Sequence, residues 1–363
     1  MSVNKSNRIF YFDALRALAI FCVICIHIYA EIQKGVMPDY GLIPSYKWFY
    51  AQFMGNCLRI GVPLFLMISG ALLLGRKESV KEFLSKRIPR IVVPFLFWGL
   101  ILTMLLVLLS YFTDLTYIRT FDAFHILRLL FRDYIAQGRS FAPYWFFWTI
   151  LGLYLIMPII NKWLDNSKLN EAEYFLVIWL IACLFIYTFK IDLPINLTYF
   201  VGPIGYIVLG YYLRHTERKI LNNPYFDIFL ILISAVSMIF FSWYFSSTET
   251  VYNFDIYTIL VIGEATGVFL LFKNFYKFNL KLNFIRNPHS IVNKLIMAMA
   301  KYSYGIYLTH ATIIVIFVDA IDGFGFHVNG FTISMLVIAL FVTLAIMFIL
   351  DKIPVINQLI GSK

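Results

Sequence analysis

The sequence predicts an all-α polytopic integral membrane protein of about ten transmembrane helices, with N- and C-termini in the cytoplasm. Three observations predict it. The 363 residues are 61% hydrophobic, 19% aromatic and 14% charged, whereas a soluble domain is about half apolar and about a quarter charged. Ten apolar runs follow one another along the chain, and Lys and Arg segregate between alternate loops. With a mean hydropathy of +0.79, the chain is too apolar for a water-soluble globule or for solvated disorder.

The runs are Ile9–Tyr29, Ile60–Leu74 (starting near Trp48), Ile91–Phe112, Tyr144–Ile160, Tyr174–Phe189, Tyr199–Leu213, Phe226–Phe245, Tyr257–Phe272, Tyr302–Ile321 and Phe331–Leu350. A span takes about 20 residues, so the runs near 175, 200 and 257 are short and have the least defined ends. Each reads as a tilted helix or a re-entrant piece. No repeat, low-complexity tract or Gly/Ser linker divides residues 1–363, which read as one membrane domain.

With ten spans, 21 of the 30 Lys and Arg fall in the N-terminus and the loops on its side, eight fall opposite, and Arg16 lies inside the first run. The positive-inside rule then places both termini in the cytoplasm. The net charge of +10 is topological on this reading, and a nucleic-acid partner is not expected. The clusters Arg76 to Arg90 and Lys273 to Lys301 abut spans, where anionic lipid headgroups account for them. Lys5 and Arg8 ahead of an apolar run resemble a signal peptide, but Arg16 and His27 interrupt the run and no small-x-small site follows, so the first helix is expected to be retained. Cys22, Cys25, Cys57 and Cys183 form no zinc-site spacing and read as small apolar packing, and no metal is expected. In the long outer loop Thr113–Pro143, Phe121, Phe124, Leu127, Phe131 and Tyr134 recur at helical spacing, as in an interfacial amphipathic helix. It reads as an anchor on the outer leaflet or as a lid.

The first run carries the chemistry. Ionisable side chains within a membrane helix cost a few kcal/mol each and mark functional positions. Asp13 and Arg16, three apart, can pair on one helix face. His27 follows Arg16 by eleven residues, a rotation within about 20° of three full turns and a rise of about 16 Å. One stripe thus carries a fixed cation near the cytoplasmic end and an imidazole further out. That spacing suits an extended anionic donor entering from the cytoplasm, its reactive end reaching a base. Acyl-coenzyme A has this shape, with phosphates for Arg or Lys and a thioester needing a base to deprotonate an incoming hydroxyl. A neutral histidine is inexpensive to bury and titrates near physiological pH. The same residues also admit a structural reading, as a satisfied Asp13–Arg16 pair and a hydrogen-bonded histidine.

Further candidates follow along the chain. Arg59 stands just before Gly61-Val62-Pro63-Leu64-Phe65-Leu66-Met67-Ile68-Ser69-Gly70, whose Ser69-Gly70 pair permits close backbone approach. Lys86-Arg87-Ile88-Pro89-Arg90 offers two arginines three apart that can grip phosphate or lipid headgroups. Tyr302-Ser303-Tyr304-Gly305-Ile306-Tyr307-Leu308-Thr309-His310 brings a second histidine into a span, and Glu264 is a buried carboxylate of unassigned role.

Phe12-Asp13-Ala14-Leu15-Arg16-Ala17-Leu18-Ala19 followed by His27 resembles the first-helix signature of the membrane-bound acyltransferase 3 family, an arginine, ten residues and a histidine. The order of the later segments is similar as well: Val62-Pro63-Leu64-Phe65 with Ser69-Gly70, Arg87 and Arg90, Tyr144-Trp145-Phe146 running to Tyr154 and Pro158, and Tyr304-Gly305-Ile306-Tyr307 before His310. The resemblance implies a ten-helix O-acyltransferase that moves an acyl group, usually acetyl, from cytoplasmic acyl-coenzyme A to a hydroxyl of an extracytoplasmic glycan or its lipid-linked precursor. Stand-alone surface polysaccharide O-acetyltransferases are the most similar branch, and the bacterial plasma membrane is the implied location. His27 would be the catalytic base or acyl-handling residue with Arg16 as its partner, Arg87 and Arg90 would hold the coenzyme together with the Lys273–Lys301 loop, and His310 is a further carry-over. The chain ends at Lys363 shortly after the tenth run, without the hydrolase-like domain of the fused branch, so transfer is expected at the membrane site or through a separate partner. Acyl-coenzyme A is a co-substrate, and no tightly bound cofactor is implied. The other expected partners are the glycan acceptor, membrane lipids and, as a further class, a second copy of the chain. The competing reading is a transporter or flippase of a glycan precursor that uses the same buried charges. A proton relay through Asp13, Glu264, His27 and His310 is a third.

Overall fold

The computed structural model describes residues 9–32, 46–109, 127–128, 144–191, 194–245, 253–277, 287–323 and 332–362. The amphipathic segment expected within Thr113–Pro143, apart from Leu127 and Arg128, and residues 33–45 of the first outer loop lie outside them. Every regular element among the described residues is helical. In chain order these are α1 (Phe10–Ile32), α2 (Tyr46–Gly55), a 3-10 turn (Cys57–Ile60), α3 (Gly61–Leu73), α4 (Val80–Leu109), α5 (Trp145–Asp165), α6 (Leu169–Cys183) with a π-helical extension (Leu184–Phe189), α7 (Pro203–His215), α8 (Pro224–Phe245), α9 (Ile259–Lys277), α10 (Ile291–Gly323), α11 (Thr332–Leu350) and the short α12 (Ile356–Leu359).

Among the described residues, seven helical segments are long and apolar enough to cross a membrane: Phe10–Ala30, Trp48–Leu73, Val80–Leu105, Trp145–Asp165, Leu169–Phe189, Pro224–Phe245 and Ile259–Tyr276. They coincide with seven of the ten expected runs. The sixth run is only the 13-residue α7, about 20 Å long, because Gly202 with φ 126° and Pro203 open it and Thr216 turns extended after it. The ninth lies within the 33-residue α10, and the tenth is the 19-residue α11.

Two boundaries differ from expectation. α4 begins at Val80 instead of Ile91 and runs through Pro89 and Pro94. The basic stretch taken as a loop is therefore helical, supported by an i,i+4 pair of Lys86 with Glu82 at 2.5 Å. The second span is broken. α2 stops at Gly55, Asn56 is displaced to φ −115° and ψ −56° within the right-handed helical region, and a 3-10 turn, whose tighter ladder interrupts the α-helical one, leads into α3. The break is fixed by a buried polar network in which Asn56 Nδ2 and Ser242 Oγ both donate to Gln52 Oε1 (2.7 and 2.5 Å) and Phe254 N donates to Asn56 Oδ1 at 3.0 Å.

The chain falls into two compact units, Met1–Lys77 with Met157–Ala300, and Glu78–Ile156 with Lys301–Lys363. In the first, α3 and α7 touch backbone to backbone. A Cβ on Gly70 would meet Ile207 O at 1.9 Å, and one on Gly210 would meet Met67 O at 1.9 Å, so each glycine admits the other helix. α1 lies against the start of α3, where a Cβ on Gly61 would meet Ala19 O at 2.8 Å. α8 and α9 close on each other through Gly263 beside Ser234 and Gly267 beside Ile231. α8 has the inverse of a soluble amphipathic pattern: Tyr225, Phe229, Leu232, Val236, Phe240 and Tyr244 are exposed, while Asp227, Ser234 and Ser242 are buried. Large apolar groups outside and small polar ones inside are what a lipid-facing helix requires.

In the second unit, Phe95 stacks on Phe147 at 3.7 Å and Tyr304 OH donates to Ile91 O at 2.7 Å. The segment after α11 packs back on α4 and α10. Trp98 Nε1 donates to Ile360 O at 3.2 Å, and Gly361, at φ 80°, sits against Tyr304, Gly305 and Pro94. Asp351 anchors its start through the Lys301 ammonium and the Tyr302 hydroxyl, the latter at 3.0 Å. Burial pushes the Asp351 carboxyl up, and the hydrogen bonds from Lys301 and Tyr302 outweigh it and leave the carboxyl below its ordinary value.

Two predictions follow from this packing. Gly70→Val forces a branched side chain into a backbone contact and is expected to cost about 1–3 kcal/mol or more, read as a lowered melting temperature in detergent. Because the Asp351 carboxyl is depressed, its contribution is present above the ordinary carboxylate pKa and lost as pH falls through its own. Lowering the pH from neutral to about 3 should therefore destabilise the wild type more than Asp351→Asn, as followed by thermal unfolding.

Candidate functional site

α1 places the predicted charges in the protein interior. Its Phe10–Ala30 stretch is 72% buried, against 17% for Pro224–Phe245. The helix has no Gly or Pro between its ends, so its turns stay in phase and the Arg16 to His27 register is kept. Between them on the same stripe, Ile20 is fully buried and Val23 is 5% exposed. The stripe is therefore covered by protein between its two ends.

Asp13 is buried and its Oδ1 accepts from Arg16 Nη1 at 3.2 Å, while the Arg16 side chain keeps 22% exposure. The carboxylate offsets the cost of bringing a guanidinium to this depth. His27, half-buried, places Nδ1 2.7 Å from Val23 O. A carbonyl only accepts, so Nδ1 carries the proton of the neutral ring and the basic lone pair is on Nε2. His310 repeats this arrangement on α10, with Nδ1 2.8 Å from Tyr307 O and 3.1 Å from Ile306 O, and is fully buried.

The remaining candidates divide by what they touch. Arg59, at the break of the second span, donates from Nε to Gly55 O at 2.7 Å and has Asp255 and Tyr29 within electrostatic reach. It satisfies a carbonyl at the end of α2. Ser69 spends its hydroxyl on Phe65 O at 2.8 Å. Arg87 is buried, with Nη1 2.8 Å from Glu78 Oε2 and its guanidinium 4.3 Å above the Phe83 ring. Arg90, three residues on, is exposed. The two arginines share a helix but not an environment. Lys273, expected with the coenzyme phosphates, donates to Leu213 O at 2.6 Å and caps the end of α7. Glu264 on α9 is 5% exposed and has Cys22 and Cys57 within electrostatic reach. All four cysteines are free and buried, and among the described residues no group of three His, Cys, Asp or Glu could hold a metal ion.

Two features escaped the sequence. The Arg87 partner Glu78 precedes it by nine residues across the entry to α4, a spacing with no helical periodicity to mark it. The Gln52–Asn56–Ser242 network joins residues 190 positions apart. A buried Gln-x-x-x-Asn pair on an apolar helix was the signal available for it.

The comparisons bear on the same residues. The chain matches the family profile described as an acyltransferase domain over residues 9–352, which includes Asp13, Arg16, His27, Arg87 and His310. It is 29% identical over 270 residues to the protein named "Putative acetyltransferase ORF330" of Acidianus two-tailed virus, covering 69% of this chain and 72% of that one. No solved structure matches. An enclosed first helix with its cation and imidazole in register, within a profile match over nearly the whole length, shows that the chain belongs to the acyltransferase 3 family.

Proposed function

We propose that this protein is a cell-membrane O-acyltransferase, which takes an acyl group, most simply acetyl, from cytoplasmic acyl-coenzyme A and places it on a hydroxyl of an extracytoplasmic glycan or lipid-linked glycan precursor. Ten spans with both termini inside belong to the same reading. The observation that carries it is the protein-covered stripe of α1, with Arg16 and His27 at its two ends.

The chemistry follows from the groups. His27 Nε2 takes the acceptor hydroxyl proton as the oxygen attacks the thioester carbonyl, and that proton goes on to the departing coenzyme thiolate. Atoms balance: one ester and one thiol replace one hydroxyl and one thioester. Arg16 cannot act as a base, because a guanidinium stays protonated. Its role is to attract the anionic donor or stabilise the developing oxyanion, with Asp13 fixing its direction. Arg87 contributes to donor binding from α4, where Glu78 and Phe83 restrict its rotamers.

The broken second span favours one other reading, a translocation path, since interrupted helices at membrane depth line such paths. Acetyl transfer from labelled acetyl-coenzyme A into membrane glycan, present with the protein and absent without it, separates the two. In that assay His27→Ala should abolish transfer, by at least about a hundredfold, with expression and melting temperature retained. Full activity of the variant rejects the assignment. Arg87→Ala should act differently, raising KM for acetyl-coenzyme A about tenfold or more with little change in kcat. An unchanged KM removes Arg87 from the donor site.

A further inference from the structure

Glu264 is a carboxyl in the membrane interior that the reaction described above does not use. Its orientation is fixed by its neighbours. Gly263 and Gly267 press α9 onto α8, and Glu264 lies about 60–100° around the helix from that line. α9 also packs against α1 and the 3-10 turn, where Cys22 and Cys57 lie within electrostatic reach of Glu264. Oε2 is buried and has no hydrogen-bond partner among the described residues. No charged group among them acts on it either, and thiols are weak donors. An unsatisfied buried polar oxygen destabilises the folded state, so a leucine here would give a more stable protein.

The second observation is independent. The 3-10 turn that α9 packs against interrupts the α-helical ladder of the second span, and a backbone departing from α-helix at this depth is tolerated only when buried in protein or lining a cavity. The other polar groups of the break are largely spent on one another: Asn56 and Ser242 on Gln52, Phe254 N on Asn56, Arg59 on Gly55 O. Besides Glu264 Oε2, an acceptor, the donor Gln52 Nε2 of α2 is left without a partner among the described residues. Unused hydrogen-bonding capacity on both sides of an interrupted helix is what a ligand site in a membrane protein requires.

We propose that Glu264 is a substrate-binding residue, whose Oε2 accepts an N–H or O–H that a substrate brings to the break in the second span. The inference rests on the acyl-transfer reading, in which both substrates carry such a donor: the amides of the pantetheine arm and the hydroxyls of the glycan acceptor.

Three measurements on the full chain in lipid nanodiscs or native membranes test it: equilibrium binding of radiolabelled coenzyme A, acetyl transfer into membrane glycan at saturating acetyl-coenzyme A, and thermal unfolding. Glu264→Leu is expected to melt at or above the wild type while losing function. A dissociation constant for coenzyme A raised at least about tenfold assigns the partner to the pantetheine arm. Unchanged coenzyme binding with transfer reduced by a similar factor assigns it to the acceptor hydroxyl. Wild-type values for both overturn the proposal. Should the variant fail to fold, the wild type answers through dicyclohexylcarbodiimide, which modifies carboxyls inside membranes. Coenzyme A or glycan-bearing membranes should slow labelling of Glu264, followed by peptide mass spectrometry, and labelling indifferent to both overturns the proposal. A wild type that neither binds coenzyme A nor transfers acetyl fails the acyl-transfer reading itself, a result distinct from an active wild type unaffected by Glu264→Leu.

Discussion

A charged side chain inside a bilayer is tolerable only where protein surrounds it and an opposite charge stands beside it. That constraint organises α1. Arg16 is paired with Asp13, and the residues between it and His27 on the stripe are covered. Covering a helix on most of its sides requires close neighbours, and small residues supply the closeness. Gly61 admits the Ala19 carbonyl, Gly70 and Gly210 admit each other's helices, and Gly263 and Gly267 bring α8 against α9. The glycines therefore help build the enclosure that lets a guanidinium and an imidazole persist in an apolar segment.

The basic residues have more than one use. The surplus of cations on one set of loops is a topological signal in the sequence, but several of these side chains close helix ends. Arg59 donates to Gly55 O, Arg76 to Leu72 O, Arg214 to Ala71 O and Lys273 to Leu213 O, each at the last turn of a helix. There the cation meets both an orphan carbonyl and the negative end of the helix dipole. Arg16 and Arg87 differ, since both are paired with carboxylates.

What could be read from the sequence divides by range. The register of Arg16 with His27 and the pairing of Asp13 with Arg16 depend only on the geometry of one uninterrupted helix, so both were legible. Seven runs coincide with segments long enough to span, although two of them, near 175 and 257, read as short because their helices extend beyond the apolar stretch into polar residues. α7 was overestimated because the glycine and proline that open it stand inside an apolar stretch. The break at Asn56 was hidden, since a lone Gly-Asn step does not distinguish a kink from a continuous helix. Its geometry is enforced by Phe254, 198 residues away. The Lys273 assignment shows the same limit, because the carbonyl it caps lies 60 residues upstream.

The close approach of α3 and α7 at Gly70 and Gly210 also constrains how the two helices can move. Helices that meet backbone to backbone have no intervening side chains to change rotamer, so α3 and α7 cannot slide past one another in small steps and must travel as a single rigid body.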